Sequence, residues 1–269
     1  MSEMGRAFAG SMPEFYDRFL VPFMFAPFAR DMAARLSGLT SGHLLELAAG
    51  TGAVTRTLAA TLPPGVRITA TDLNPAMLVQ AQTHAGSQRI SWQEADAQAL
   101  PFAEQTFDAV LCQFGVMFFP DKQVAFREAL RVLRRGGRLL FTVWGQREGT
   151  VQHEASLAVG HALGRDPATL LAPPYNDVDA VRADLTVAGF SAVAAEPVEL
   201  SSFSASAQEA AVASCHGGLL RAAIERDAPD RLAAITDQAA AAIAVRFGDG
   251  PIEAPLYAIV FTALRPGGG

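Results

Sequence analysis

The chain reads as an α/β protein built on a mostly parallel sheet with helices on both faces. Between residues 43 and 144, short β-rich segments alternate with helical patterns, as crossover helices between parallel strands require. The first of these segments runs straight into a glycine turn. Half of the 269 residues are hydrophobic, which suffices for a large buried core.

Strands are predicted at 43–47, 66–71, 89–93, 107–112 and 138–144. Asn74 reads as an N-cap with Pro75 as the first helical residue. Asp121 caps a second helix, whose Phe126, Ala129, Leu130 and Leu133 form one apolar stripe and which Gly136 and Gly137 end. Beyond Gly145, alanine-rich helical stretches near 151–164, 177–188 and 206–247 are interrupted by strands near 193–200 and 256–263. The pair Pro173-Pro174 reads as a bend, and 267–269 as a disordered end.

A formal charge of −6 and a pI near 5.4 deny the chain the broad positive field that nucleic-acid binding draws on. Cys112 and Cys215 lie far apart and outside any Cys/His cluster, so no metal site is expected and both read as buried small residues. That usage suits a reducing cytoplasm. The longest apolar run, 19–29, carries Pro22 and Pro27 and falls short of the roughly 18 residues that span a bilayer. A soluble, cytoplasmic protein is the expectation.

The chemistry concentrates in His43-Leu44-Leu45-Glu46-Leu47-Ala48-Ala49-Gly50-Thr51-Gly52, an apolar strand followed by a glycine turn and a helix. Glycines there adopt unusual backbone angles and omit the Cβ atoms that would strike a nucleotide-like ligand. Nicotinamide enzymes space their glycines as G-x-G-x-x-G, whereas here Thr55 stands where the third would allow close helix packing. Glu46, four residues before Gly50, can serve an ammonium group. Asp72 ends the second strand 20 residues after Gly52, placed to accept from both hydroxyls of a ribose. Taken alone it could be an ordinary turn carboxylate. After the third strand, Asp96 can accept from an adenine amino group and the Ala97 amide can serve the adjacent ring nitrogen; Glu94 reads as a surface charge.

Together these residues resemble the class I S-adenosylmethionine-dependent methyltransferases, in the small-molecule branch (methyltransferase type 11) that includes the ubiquinone and menaquinone biosynthesis enzymes. The resemblance is strong over about residues 40–145 and weak elsewhere. Glu46 to Gly52 match the first motif, with Ala48 in place of its usual first glycine. Phe107-Asp108-Ala109-Val110 and Cys112-Gln113-Phe114 match the fourth strand and its active-site edge, and the run from Arg131 to Leu139 matches the approach to strand five. The resemblance implies a Rossmann-like sheet of seven strands with the last antiparallel, the strand near 256–263. It implies a single domain: an N-terminal helical cover (1–40), a cofactor-binding core (41–145), and substrate-side helices with the last two strands (146–269). S-adenosylmethionine is the implied cofactor. Its implied contacts are Glu46, Ala48, Gly50, Thr51 and Gly52 on the first turn, and Asp72, Leu73 and Met77 after the second strand. Asp96 and Ala97 follow the third strand, Gln113 and Phe114 the fourth, and Tyr16 comes from the cover.

Methyl transfer from a sulfonium needs alignment and exclusion of water, and a base only where the acceptor loses a proton as it attacks. Candidate bases are His153 and His216, with Tyr175 a weaker one, although lone histidines on helices are more often structural; His43, His84 and His161 rank lower. Phe15, Tyr16, Phe19, Phe23, Phe25 and Phe28 crowd into fourteen residues, against 8% aromatics overall. They serve either an apolar acceptor pocket or ordinary helix packing or a dimer contact, which leaves a homodimer open. Phe19, Phe23, Met117, Phe118 and Tyr175 are the candidate acceptor contacts, and the acceptor is expected to be a small, largely apolar molecule. The absence of an Asn/Asp-Pro-Pro-aromatic motif at Gln113-Phe114-Gly115-Val116 argues against nucleobase and glutamine-amide substrates. The rival readings are a nicotinamide-dependent oxidoreductase and a non-catalytic S-adenosylmethionine-binding protein.

Overall fold

The computed structural model describes residues 12–84 and 88–267; of the predicted disordered end, 268 and 269 lie outside the described residues. The chain divides into two compact units. One comprises Met1–Pro27, Gln146–Pro173 and Glu199–Tyr257, and the other Phe28–Gly145, Pro174–Val198 and Ala258–Gly269. One boundary falls between Pro173 and Pro174, where the sequence suggests only a bend.

The second unit contains the parallel strands β1 (Gly42–Glu46), β2 (Val66–Asp72), β3 (Ile90–Glu94), β4 (Phe107–Gln113) and β5 (Leu133–Trp144). Two longer strands, β6 (Ser191–Ser204) and β7 (Ile252–Leu264), complete a seven-stranded sheet of order β3-β2-β1-β4-β5-β7-β6. β7 pairs with β5 antiparallel, from Arg138 opposite Leu264 to Trp144 opposite Ala258. This is the Rossmann-like architecture with an antiparallel final strand. Strand order reverses between β1 and β4, the point at whose carboxyl ends open α/β sheets bind their ligands.

Period-2 alternation sends successive β5 residues to opposite faces. Leu140 joins Leu44, Ile68 and Leu111 in a cluster closed by Met32 and Leu36 and by Leu58, from α1 (Ala26–Arg35), the turn that follows it, and α2 (Ala53–Thr61). Its neighbour Phe141 faces the other way, with Phe126 of α4 (Lys122–Val132) at 5.5 Å and Phe261 of β7 at 5.1 Å between ring centroids. Helices therefore cover both faces of the sheet. α3 (Pro75–Thr83) starts as predicted, with Asn74 accepting from the Ala76 amide at 3.0 Å, and Asp121 caps α4 through the Val124 amide at 3.0 Å.

α4 ends before its predicted glycine stop. Arg265 donates to the carbonyls of Leu130, Arg131 and Leu133, capping the helix from a distance. Leu133 then begins β5, and Gly136 and Gly137 lie inside that strand, where its register against β4 shifts between Phe107 and Ala109.

The first unit is helical: α5 (Val151–Leu163), α7 (Ala207–His216), α8 (Leu219–Asp227) and α9 (Leu232–Phe247), while α6 (Val178–Ala188) belongs to the second unit. The predicted helical stretch at 206–247 is thus three helices, broken at Gly217-Gly218 and at Ala228-Pro229. Helical structure also runs from Met12, as expected, but Tyr16–Phe25 is a π-helix with Pro22 inside it. Its wider winding, seen in the Ala26 amide bonding the Val21 carbonyl, accommodates a proline that an α-helix interior would reject. Cys112 and Cys215 are free and buried, as predicted.

Candidate cofactor site

The glycine turn is anchored on two neighbouring strands. Leu47 donates to the Leu111 carbonyl on β4 and Ala49 to the Thr71 carbonyl on β2, each at 2.8 Å, and Gly50 donates to Asp72 Oδ2 at 2.8 Å. Asp72 Oδ1 accepts from the Asn74 amide at 2.8 Å, so the predicted ribose acid also shapes both loops around itself. Burial raises its pKa against the lowering effect of those amides.

Every second residue of the turn is left-handed: Ala48 (φ 51°), Gly50 (φ 56°) and Gly52 (φ 81°). The two glycines have different reasons. A Cβ at Gly50 would meet nothing within 4 Å, so open space lies beside it. A Cβ at Gly52 would lie 2.6 Å from Trp92 Cη2, which corrects the expectation that this glycine makes room only for a ligand. Ala48 adopts a glycine's backbone at a cost of about 1–2 kcal/mol. Its methyl group fits because position 115 is glycine, where a Cβ would come within 2.5 Å of the Ala48 Cβ.

Glu46 ends β1 with its side chain buried. It accepts from Thr55 Oγ1 at 2.5 Å, and burial pushes its pKa up to about 8. Asp96 Oδ1 accepts from the Gln98 amide at 2.8 Å, which closes a tight turn around Ala97, and Gln98 Oε1 accepts in turn from the Asp121 amide. Leu73 projects into solvent beside Asp72, whereas Met77 is buried.

After β4, Phe114 is left-handed (φ 55°) and stacks on Trp144 at 3.7 Å, with the Phe28 edge against both rings. Gln113 ends β4, Met117 is buried, and Phe118 is half-buried on the short turn that follows. Tyr175 donates its hydroxyl to Asp184 at 2.6 Å, and burial with that carboxylate raises its pKa, so it is an engaged donor and a poor proton acceptor.

Tyr16, Phe19, Phe23, His153 and His216 belong to the first unit. There Tyr16 stacks on Phe25, and Phe15 brings Phe19 and His216 together. His216 Nε2 meets Thr236 Oγ1 at 3.1 Å, and burial lowers its pKa, which keeps the ring neutral. His153 is on the first turn of α5, where its amide donates to the capping Thr150. Among the described residues, no three His, Cys, Asp or Glu side chains are grouped to hold a metal ion, and no helix is long and apolar enough to cross a membrane.

Sequence reasoning missed Trp92, Trp144 and the hydrogen-bonding role of Thr55. The tryptophans' strand positions were legible, but their ring contacts depend on pairing across the sheet.

The sheet order and the left-handed glycine turn after β1 are those of a Rossmann-like α/β fold. Residues 45–141 match the family described as a methyltransferase domain. An uncharacterised protein of Mycobacterium tuberculosis (strain H37Rv) is 43% identical over 104 residues, 38% of this chain and 37% of that one. The ubiquinone/menaquinone biosynthesis C-methyltransferase UbiE of Saccharophagus degradans is 36% identical over 118 residues, 41% and 47% of the two chains. The matches thus span less than half the length of these relatives. Among solved structures, Haemonchus contortus phosphoethanolamine N-methyltransferase 2 in complex with S-adenosyl-L-methionine superposes with a TM-score of 0.63 at 17% identity, over 98% of this chain and 59% of that one.

Proposed function

We propose that the protein binds S-adenosylmethionine at the glycine turn between β1 and α2 and transfers its methyl group to a small, largely apolar organic acceptor. The observation that carries this reading is Asp72 closing β2 against the Gly50 amide, beside the space that a Cβ at position 50 would leave free. The residues fit the cofactor. Asp72 is placed for the ribose, Asp96 and the Ala97 amide for adenine, exposed Leu73 for the ring's apolar surface, and the buried Glu46 supplies negative charge for the ammonium.

When bound, S-adenosylmethionine supplies a methyl group already activated by the sulfonium charge. The chain's own part is alignment and exclusion of water. Phe28, Phe114 and Trp144 form an aromatic cluster at the carboxyl ends of β4 and β5, and Met117 and Phe118 follow on the next turn; this apolar composition supports an apolar acceptor.

Calorimetry with S-adenosylhomocysteine and with NAD tests the cofactor, and a screen with methyl-labelled S-adenosylmethionine tests the transfer. Binding of the first ligand alone, with label reaching an apolar small molecule, is expected. Binding of NAD instead would overturn the reading, and cofactor binding without transfer across the screen would favour a non-catalytic binding protein.

A further inference from the structure

Glu46 presents an unusual problem at the end of β1. The residue is 1% exposed, and Thr55, itself fully buried on α2, donates a hydroxyl to its Oε2 at 2.5 Å. The ionisable groups that face it come from three elements. Asp72 of β2 opposes a charge on Glu46, Arg56 of α2 favours one, and Cys112 of β4 is a thiol that burial keeps protonated up to about 12. A buried carboxylate with so little solvent depends on the donors that remain.

We infer that Thr55 is a positioning residue for the cofactor's amino-acid end: its hydroxyl orients Glu46 and favours the charged form, so that arrival of the ligand's ammonium drives one proton from Glu46 into solvent. The inference rests on the proposed S-adenosylmethionine reading. The balance is simple. Glu46 loses the proton, its carboxylate keeps the Thr55 hydrogen bond, and no bond of the ligand changes. The new negative charge acts on the ammonium in a medium where water screens it weakly. Burial, which pushes Glu46 up to about 8, is why the ligand-free protein holds that proton at neutral pH. A purely packing role for Thr55 would be filled equally well by valine, which has nearly the same shape.

The test is calorimetric titration of S-adenosylhomocysteine between pH 6 and 9, in two buffers of different ionisation enthalpy so that released protons are counted. Wild-type affinity should rise by up to about tenfold per pH unit below pH 8 and then level, with up to one proton released per ligand. Thr55→Val should bind about tenfold more weakly at pH 7 with its rise displaced to higher pH, and Thr55→Ser should restore both. A Thr55→Val protein with the wild-type profile and proton count would overturn the inference while leaving the cofactor reading intact. Failure of the wild type to bind at any pH would overturn that reading, and the inference with it. Carbon-13 NMR titration of Glu46 in the ligand-free wild type covers the case in which Thr55→Val fails to fold. A midpoint near 8 supports proton release, and one near 4.5 overturns it.

Discussion

The ring of Trp92 and a side chain at position 52 compete for one space: a Cβ on Gly52 would lie 2.6 Å from Trp92 Cη2 and 3.3 Å from the Ala81 Cβ. Gly52 also has φ 81°. Gly52→Ala therefore combines left-handed strain of about 1–2 kcal/mol with overpacking of about 1–3 kcal/mol. Denaturant unfolding should show the larger part of that loss relieved when Trp92→Leu is added, because the steric component disappears and the strain stays. An equal cost of Gly52→Ala in both backgrounds would contradict the contact. Gly50→Ala has open space around it and should carry the strain alone.

Asp72 is predicted to matter twice. Its two oxygens accept from the Gly50 and Asn74 amides while it faces the proposed ribose position. Replacing it with alanine should lower S-adenosylhomocysteine affinity at least tenfold, since hydrogen bonds to a charged group are worth about 1.5–3 kcal/mol each. Asp72→Asn keeps one accepting oxygen and should fall between. Undiminished binding by a folded Asp72→Ala protein would remove Asp72 from the site.

Glu46 gives the ligand-free protein a pH dependence of definite sign. Its folded pKa, about 8, lies above the ordinary 4.5, so between those values the folded state holds a proton that the unfolded state has released. Its contribution to stability is fully present below pH 4.5 and is lost as pH rises through 8. His43 and His216, with lowered pKa values, act oppositely below their ordinary 6.5. The difference between wild type and Glu46→Gln isolates the carboxyl group: melting temperature should fall more steeply for the wild type from pH 5 to 8. Parallel curves would mean that Glu46 is already ionised.

These tests also mark what the sequence could tell. Glu46, Gly50, Asp72 and Asp96 were legible because each sits at the end of a strand or in the turn just after it, and these places follow from local pattern and turn chemistry. The end of α4 was not, because the group that caps it, Arg265, is more than a hundred residues away in sequence. The same limit hid the two causes of glycine at 50 and 52. Spacing showed the turn, but only the pairing of β3 with β2 brings Trp92 over it. Thr55 was read as a missing glycine, and its hydroxyl found a role only once α2 lay against the end of β1.

The loop around Asp96 and Ala97 is predicted to depend on an ion pair that makes no ligand contact of its own. Glu128 accepts from the Leu100 amide at 2.8 Å, and Arg131 donates to the carbonyls of Leu100 and Phe102 at 2.9 and 2.7 Å while paired with Glu128 at 2.7 Å. This pair on α4 therefore fixes the chain directly after the proposed adenine contact. Arg131→Ala should free Leu100 and Phe102 and raise amide hydrogen exchange across residues 97–102. It should also weaken S-adenosylhomocysteine binding several-fold, about 1 kcal/mol. Arg131→Lys should rescue little, because an ammonium cannot reproduce a planar fork that serves two carbonyls and a carboxylate at once. The Arg131 hydrogen bond also holds Glu128 below the usual carboxylate range, so the pair's contribution is present above pH 4.5 and is lost as pH falls through the depressed value. Protection of the 97–102 amides should then decline on acidification in the wild type and be insensitive to that change in Arg131→Ala. Exchange at 97–102 that matched the wild type in Arg131→Ala would show that the loop holds its shape without the pair.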